Sequence, residues 1–129
     1  QERIKRYMDA IEYFQPDPRY SGANAKGTTS PNWREATGGN RVDICKVVAI
    51  RGAIMNQEEK ISLASQAIQQ VFEYVTEKDG FYKDGSFIQH GNIPYTGTYG
   101  NVLLRGVAEL LLFFKSTPWE IKNPKVERI

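Results

Sequence analysis

Reactive side chains are concentrated in one stretch, Asp79-Gly-Phe-Tyr-Lys-Asp-Gly-Ser-Phe-Ile-Gln-His-Gly-Asn-Ile-Pro-Tyr-Thr-Gly-Thr-Tyr-Gly-Asn101. It holds the only histidine of the chain, His90, with Tyr99 nine residues later. Imidazole is the side chain that changes charge near neutrality, so His90 is the natural candidate for proton transfer or charge stabilisation. The interspersed glycines let the backbone adopt positive φ and let a ligand approach closely. A structural reading competes with this one: the aromatics can plug a core and His90 can be incidental. Other chemistries are less well marked. Ser86, His90 and Asp84 could form a nucleophilic triad, but no nucleophile elbow accompanies them. There is no glycine-rich phosphate loop and no His-x-x-x-His metal spacing, and nothing marks a glycosidase-type carboxylate pair.

Four helices must position this stretch. Ile4, Tyr7, Met8, Ile11 and Phe14 recur at three- and four-residue spacing and predict a helix over 2–14 with one apolar stripe, stopped by Pro16 and Pro18. The stretch 15–39 is rich in Gly, Ser, Thr, Asn and Pro, has no periodicity, and contains Trp33. Connections of this length are usually functional or disordered. A second helix is expected over 40–55, apolar on most sides through Ile44, Val47, Val48, Ile50, Ala53 and Ile54, and so largely buried. Asn40 stands at its start with Asp43 three residues on, the pattern of an N-cap. A half-exposed third helix follows over 57–76 and a strongly apolar fourth over 98–115. The buried-then-amphipathic order is that of a helical hairpin in a two-layered α/α array. Between the third and fourth, the reactive stretch reads as an irregular loop with short strands near 81–82 and 86–88.

The bulk properties set limits. At 129 residues the chain makes one modest domain, with 40% hydrophobic and 25% charged residues. No apolar run is long enough for a transmembrane helix, so no membrane partner is expected. A net charge of +2 with dispersed basic residues does not suggest a nucleic-acid partner, and mild basicity suits an acidic one. The single cysteine, Cys45, rules out an internal disulfide or a cysteine-based metal site. A first residue other than methionine, with helix from Glu2 and no signal-peptide pattern, predicts an interior piece or processed form of something longer.

Three blocks resemble polysaccharide lyase family 8, the group of hyaluronate, chondroitin AC and xanthan lyases. They are Thr37-Gly-Gly-Asn-Arg-Val-Asp43, similar to the family's Thr-Gly-Ala-Asn-Arg motif with Gly39 where alanine is usual; Asp79-Gly-Phe-Tyr-Lys-Asp-Gly-Ser-Phe-Ile-Gln-His90; and Tyr95-Thr-Gly-Thr-Tyr-Gly-Asn-Val-Leu103 followed by Leu104. The spacings agree as well: Asn40 to His90 is fifty positions and His90 to Tyr99 is nine.

The resemblance implies an all-α fold, with residues 1–129 a fragment of the incomplete α/α toroid of the N-terminal catalytic domain, about two helical hairpins without flanking helices or β-sandwich domains. It also implies a secreted enzyme that cleaves a uronic-acid polysaccharide by β-elimination, hyaluronan first and chondroitin or xanthan next, with no cofactor or metal. Asn40, His90 and Tyr99 would be the catalytic trio, with Arg41 and Trp33 as expected substrate contacts. The family's further catalytic arginine and glutamate, and its tryptophan-pair motif, match nothing in this chain; Arg105 lies too close to Tyr99 to be that arginine. The alternative is a truncated, non-catalytic piece that only binds acidic polysaccharide or retains the fold.

Overall fold

The computed structural model describes residues 1–21 and 34–129. Its order is α1 (Glu2–Phe14), β1 (Tyr20–Ser21), β2 (Arg34–Glu35), α2 (Gly38–Ile54), α3 (Glu58–Ala67) with a 3-10 turn Ile68–Phe72, β3 (Gly80–Phe81), β4 (Phe87–Gln89), β5 (Ile93–Pro94), a π turn Thr96–Gly100, α4 (Asn101–Phe114) and a 3-10 turn Pro124–Arg128. The all-α expectation holds, with two small antiparallel sheets added: β1 paired to β2, and β3-β4-β5 in that order. No helix of the described residues is long and apolar enough to cross a membrane.

α2 is the central element and packs against both α3 and α4. Its buried side chains Val42, Cys45, Val48 and Ala49 meet Ile61, Ala64, Ile68 and Phe72 on one side and Leu103, Val107, Leu110 and Phe114 on the other. Gly106 of α4 faces Val42 of α2 so closely that a Cβ there would overlap the Val42 side chain; a glycine lets the helices approach. Phe81 and Phe87 close the same core from the small sheet, their ring centroids 4.9 Å apart.

Burial of α2 is less complete than its composition predicts. Val47, Ile50 and Ile54 are exposed, because only one side of the helix is covered by α3 and α4. α1 lies beside the other side without a single buried residue. It is held by polar contacts instead: the buried Arg51 donates through Nε to the Met8 carbonyl at 2.8 Å and pairs with Glu12 at 2.9 Å, while Lys60 reaches Glu12 at 2.7 Å.

Three boundaries differ from the periodicity. α2 starts at Gly38, which puts Asn40 in its first turn and Thr37 at the N-cap position. α3 stops at Ala67, well short of residue 76, because beyond Phe72 the chain turns extended: the Val75 amide donates to the Phe81 carbonyl at 2.8 Å, and Tyr74 bridges to Phe81. Side chains that continue a helical stripe by spacing are here buried by strand-like pairing. α4 starts at Asn101, after the π turn, in which the Tyr95 carbonyl accepts from both Thr98 and Gly100.

Candidate active site

The reactive stretch is not irregular but a hairpin sheet seated on the N-terminus of α2. Along β4, alternation sends Phe87 and Gln89 inward and leaves Ile88 partly exposed. His90 then leaves the strand with φ of 58°, in the left-handed region that few residues besides Gly, Asn, Asp and His adopt, and it is exposed. Tyr99 sits in the π turn that precedes α4, a local widening often found at functional positions.

The rings converge. His90 and Tyr99 meet edge to face with centroids 4.8 Å apart, and Tyr95 lies 5.8 Å from His90 and 5.0 Å from Tyr99. Tyr99 also lies against α2: a Cβ on Gly39 would stand 3.4 Å from its Cδ1 and 3.3 Å from its carbonyl oxygen, so even alanine would be tight there. Asn40 is the next residue along the helix. α2 and the β4–α4 segment therefore place the helix turn that carries Asn40 beside the Tyr99 and His90 rings. Among the described residues none of these three side chains has a hydrogen-bond partner; His90 is exposed, and Asn40 and Tyr99 are half-buried.

The remaining expected residues fare differently. Arg41 is buried at 3% exposure, its Nε donating to the Ala36 carbonyl at 2.7 Å and its guanidinium paired with Glu35 at 3.1 Å. That commits it to holding the β2–α2 corner rather than facing outward with Asn40. Trp33 lies outside the described residues. Ser86, His90 and Asp84 do not form a triad. Asp84 accepts from the Ser86 amide at 3.0 Å and hydroxyl at 2.7 Å, capping the turn between β3 and β4, and these bonds, the amide's first, lower its carboxyl pKa. Asn40 does not cap α2 either, since it lies inside the helix.

Sequence reasoning passed over the residues that tie this surface together. The Gln89 side chain is fully buried; its Oε1 accepts from the Gly39 amide at 3.1 Å, and its Nε2 donates to Asp79 Oδ2 at 2.8 Å and, more weakly, to the Thr37 carbonyl at 3.5 Å. Asp79 Oδ2 also accepts from the Thr37 hydroxyl at 2.7 Å, and its Oδ1 from the Gly91 amide at 2.6 Å. Gly38 belongs to the same arrangement. Its φ is 53° and a Cβ would run into Gln89 Oε1, so position 38 requires glycine. The available signal was Gln89 itself: alternation from Phe87 puts it inward, and a buried carboxamide must find partners.

An imidazole and a phenol in contact beside a helix first turn that carries a carboxamide are groups of the kind that move protons and stabilise an anion. The chain belongs to polysaccharide lyase family 8: residues 1–129 match its N-terminal alpha-helical domain. It is 42% identical over 116 residues to hyaluronate lyase HylB of Enterococcus faecalis, covering 85% of this chain and 12% of that protein. A xanthan lyase of a Bacillus species is 32% identical over 129 residues, covering 98% of this chain and 12% of that one. The fold superposes with a TM-score of 0.83 on the Streptomyces coelicolor A3 chondroitin AC lyase in complex with chondroitin sulphate, at 38% identity over 98% of this chain and 16% of that chain. The chain thus spans 12% of the two sequence relatives and 16% of the structural one.

Proposed function

We propose that Asn40, His90 and Tyr99 are the proton-transfer centre of a secreted lyase that cleaves a uronic-acid polysaccharide by β-elimination, with hyaluronan the leading substrate and chondroitin or xanthan next. The observation that carries this reading is the packing of Tyr99 between the His90 ring and the Gly39–Asn40 turn of α2.

The chemistry follows from the substrate. The C5 proton of a uronate is weakly acidic while the adjoining carboxylate keeps its full charge. Asn40, in the first turn of α2, donates a hydrogen bond to that carboxylate, and the positive end of the helix dipole favours the same anion. His90 adds to this stabilisation and holds the sugar. Tyr99 takes the C5 proton through its phenolate oxygen. The C5–H electron pair becomes the C4–C5 double bond, the C4–O bond breaks, and the leaving oxygen receives a proton from the same phenol. General acid–base participation of this kind contributes about 10²- to 10⁴-fold in rate.

The test is to incubate the polypeptide carrying these residues with hyaluronan, chondroitin and xanthan and to follow ultraviolet absorbance of the unsaturated product. Product formation that falls by about 10²-fold or more in Tyr99→Phe supports the mechanism. Undiminished turnover by that variant refutes it. Because the chain spans so small a share of its relatives, the 129 residues alone are also assayed; binding without product there marks a piece that recognises acidic polysaccharide but does not cleave it.

A further inference from the structure

We infer that Asp79, Gln89 and Thr37 form a clamp that fixes Asn40 relative to His90, and that they are positioning residues for the elimination proposed above, on which their catalytic consequence rests.

The two groups to be aligned come from segments fifty positions apart. Asn40 projects from the first turn of α2, and helix first turns leave their amides without carbonyl partners inside the helix. Thr37 occupies the N-cap position, but its hydroxyl does not cap; it donates to Asp79. The cap is supplied from β4, where Gln89 Oε1 takes the Gly39 amide. Three residues that flank Asn40 or His90 are thereby tethered. Gly39, before Asn40, is bound by Gln89; Gln89, before His90, is bound by Asp79; Gly91, after His90, is bound by the other oxygen of Asp79. His90 is held at both flanks in a left-handed conformation.

The directionality of the network matters. A carboxylate accepts only, so Asp79 requires donors at both oxygens, and Thr37, Gln89 and Gly91 provide three. The Gln89 amide is thereby oriented with nitrogen toward Asp79, which turns its oxygen toward Gly39. Apolar packing alone has no such orientation to give. A misplacement of about 1 Å between reacting groups can lower a rate about 10²-fold, so the clamp should act on turnover more than on binding.

Two measurements test it. In the 129-residue chain, amide hydrogen exchange should show Gly39 and Gly91 protected. Gln89→Ala should speed exchange at Gly39 by about tenfold or more, and leave core amides such as Val48 unchanged. In the polypeptide carrying these residues, Gln89→Ala should lower kcat by about 10²-fold with KM within about threefold. Thr37→Val, which keeps the shape but loses the hydroxyl, should lower kcat by about tenfold, and Thr37→Ser should restore it. Unprotected Gly39 and Gly91 amides, or exchange at Gly39 unaltered by Gln89→Ala, would overturn the clamp. Folded Gln89→Ala and Thr37→Val enzymes with kcat within about twofold of the parent would overturn its positioning role. If the parent itself forms no unsaturated product, the lyase reading falls, and the exchange data still decide the clamp.

Discussion

The two ends of α2 are both secured by polar groups, but in opposite ways. At the C-terminal end the buried guanidinium of Arg51 gathers the Met8 carbonyl, Glu12 and Gln57, and so attaches α1, which has no fully buried residue. A cation suits that end of the helix dipole. At the N-terminal end the grip is a neutral carboxamide, Gln89, oriented by Asp79 and Thr37. The first is an attachment, in which charge attraction holds one helix to another. The second is an alignment, in which donor and acceptor direction decide where Asn40 and His90 stand. Between them the apolar middle of α2 fixes the helix in the molecule without fixing what either end presents.

This contrast can be broken from either side. The largest loss of stability is expected for Arg51→Ala, about 3–5 kcal/mol by denaturant unfolding, because Glu12 keeps a partly buried charge with only Lys60 to meet it. Gly39 protection should survive in that variant; its loss would mean that the two ends are not independent. Gly106→Ala, in the apolar middle, should cost about 1–3 kcal/mol as the added methyl meets Val42. Thr37→Val should cost only about 0.5–1.5 kcal/mol of stability while lowering turnover about tenfold, the reverse of the Arg51 pattern. The smallest effect concerns Cys45: burial pushes its thiol up to about 12, so at pH 8 iodoacetamide should leave it unmodified in the folded chain and alkylate it in urea. Rapid labelling of the folded chain would show that the α2 core opens.

Much of this arrangement is legible in the residues. The stripe from Ile4 to Phe14 marks α1 to the residue, and the apolar spacing from Val102 to Phe114 marks α4, because a 3.6-residue period leaves few alternatives. The blocks around Asn40, His90 and Tyr99 place the candidate trio and identify the family. What periodicity misread has a common cause. Val71, Phe72 and Val75 continue a helical stripe, yet only Val71 and Phe72 lie in helical turns, because pairing with Phe81 draws Val75 into extended backbone. Asn40 reads as a cap, yet a glutamine in β4, fifty residues from the Gly39 amide it accepts from, does the capping.

The sequence by itself therefore determined which helices form and which side chains are candidates for the proposed chemistry, since both depend on local spacing and residue type. Only the tertiary structure decided that His90 stands against Tyr99, that Tyr99 rests on the turn bearing Asn40, and that Arg41 faces inward to Ala36 and Glu35. The first two are packing contacts between segments that meet only when α2, the small sheet and α4 assemble, and the third depends on which face of the β2–α2 corner is covered; helical or strand periodicity encodes none of them.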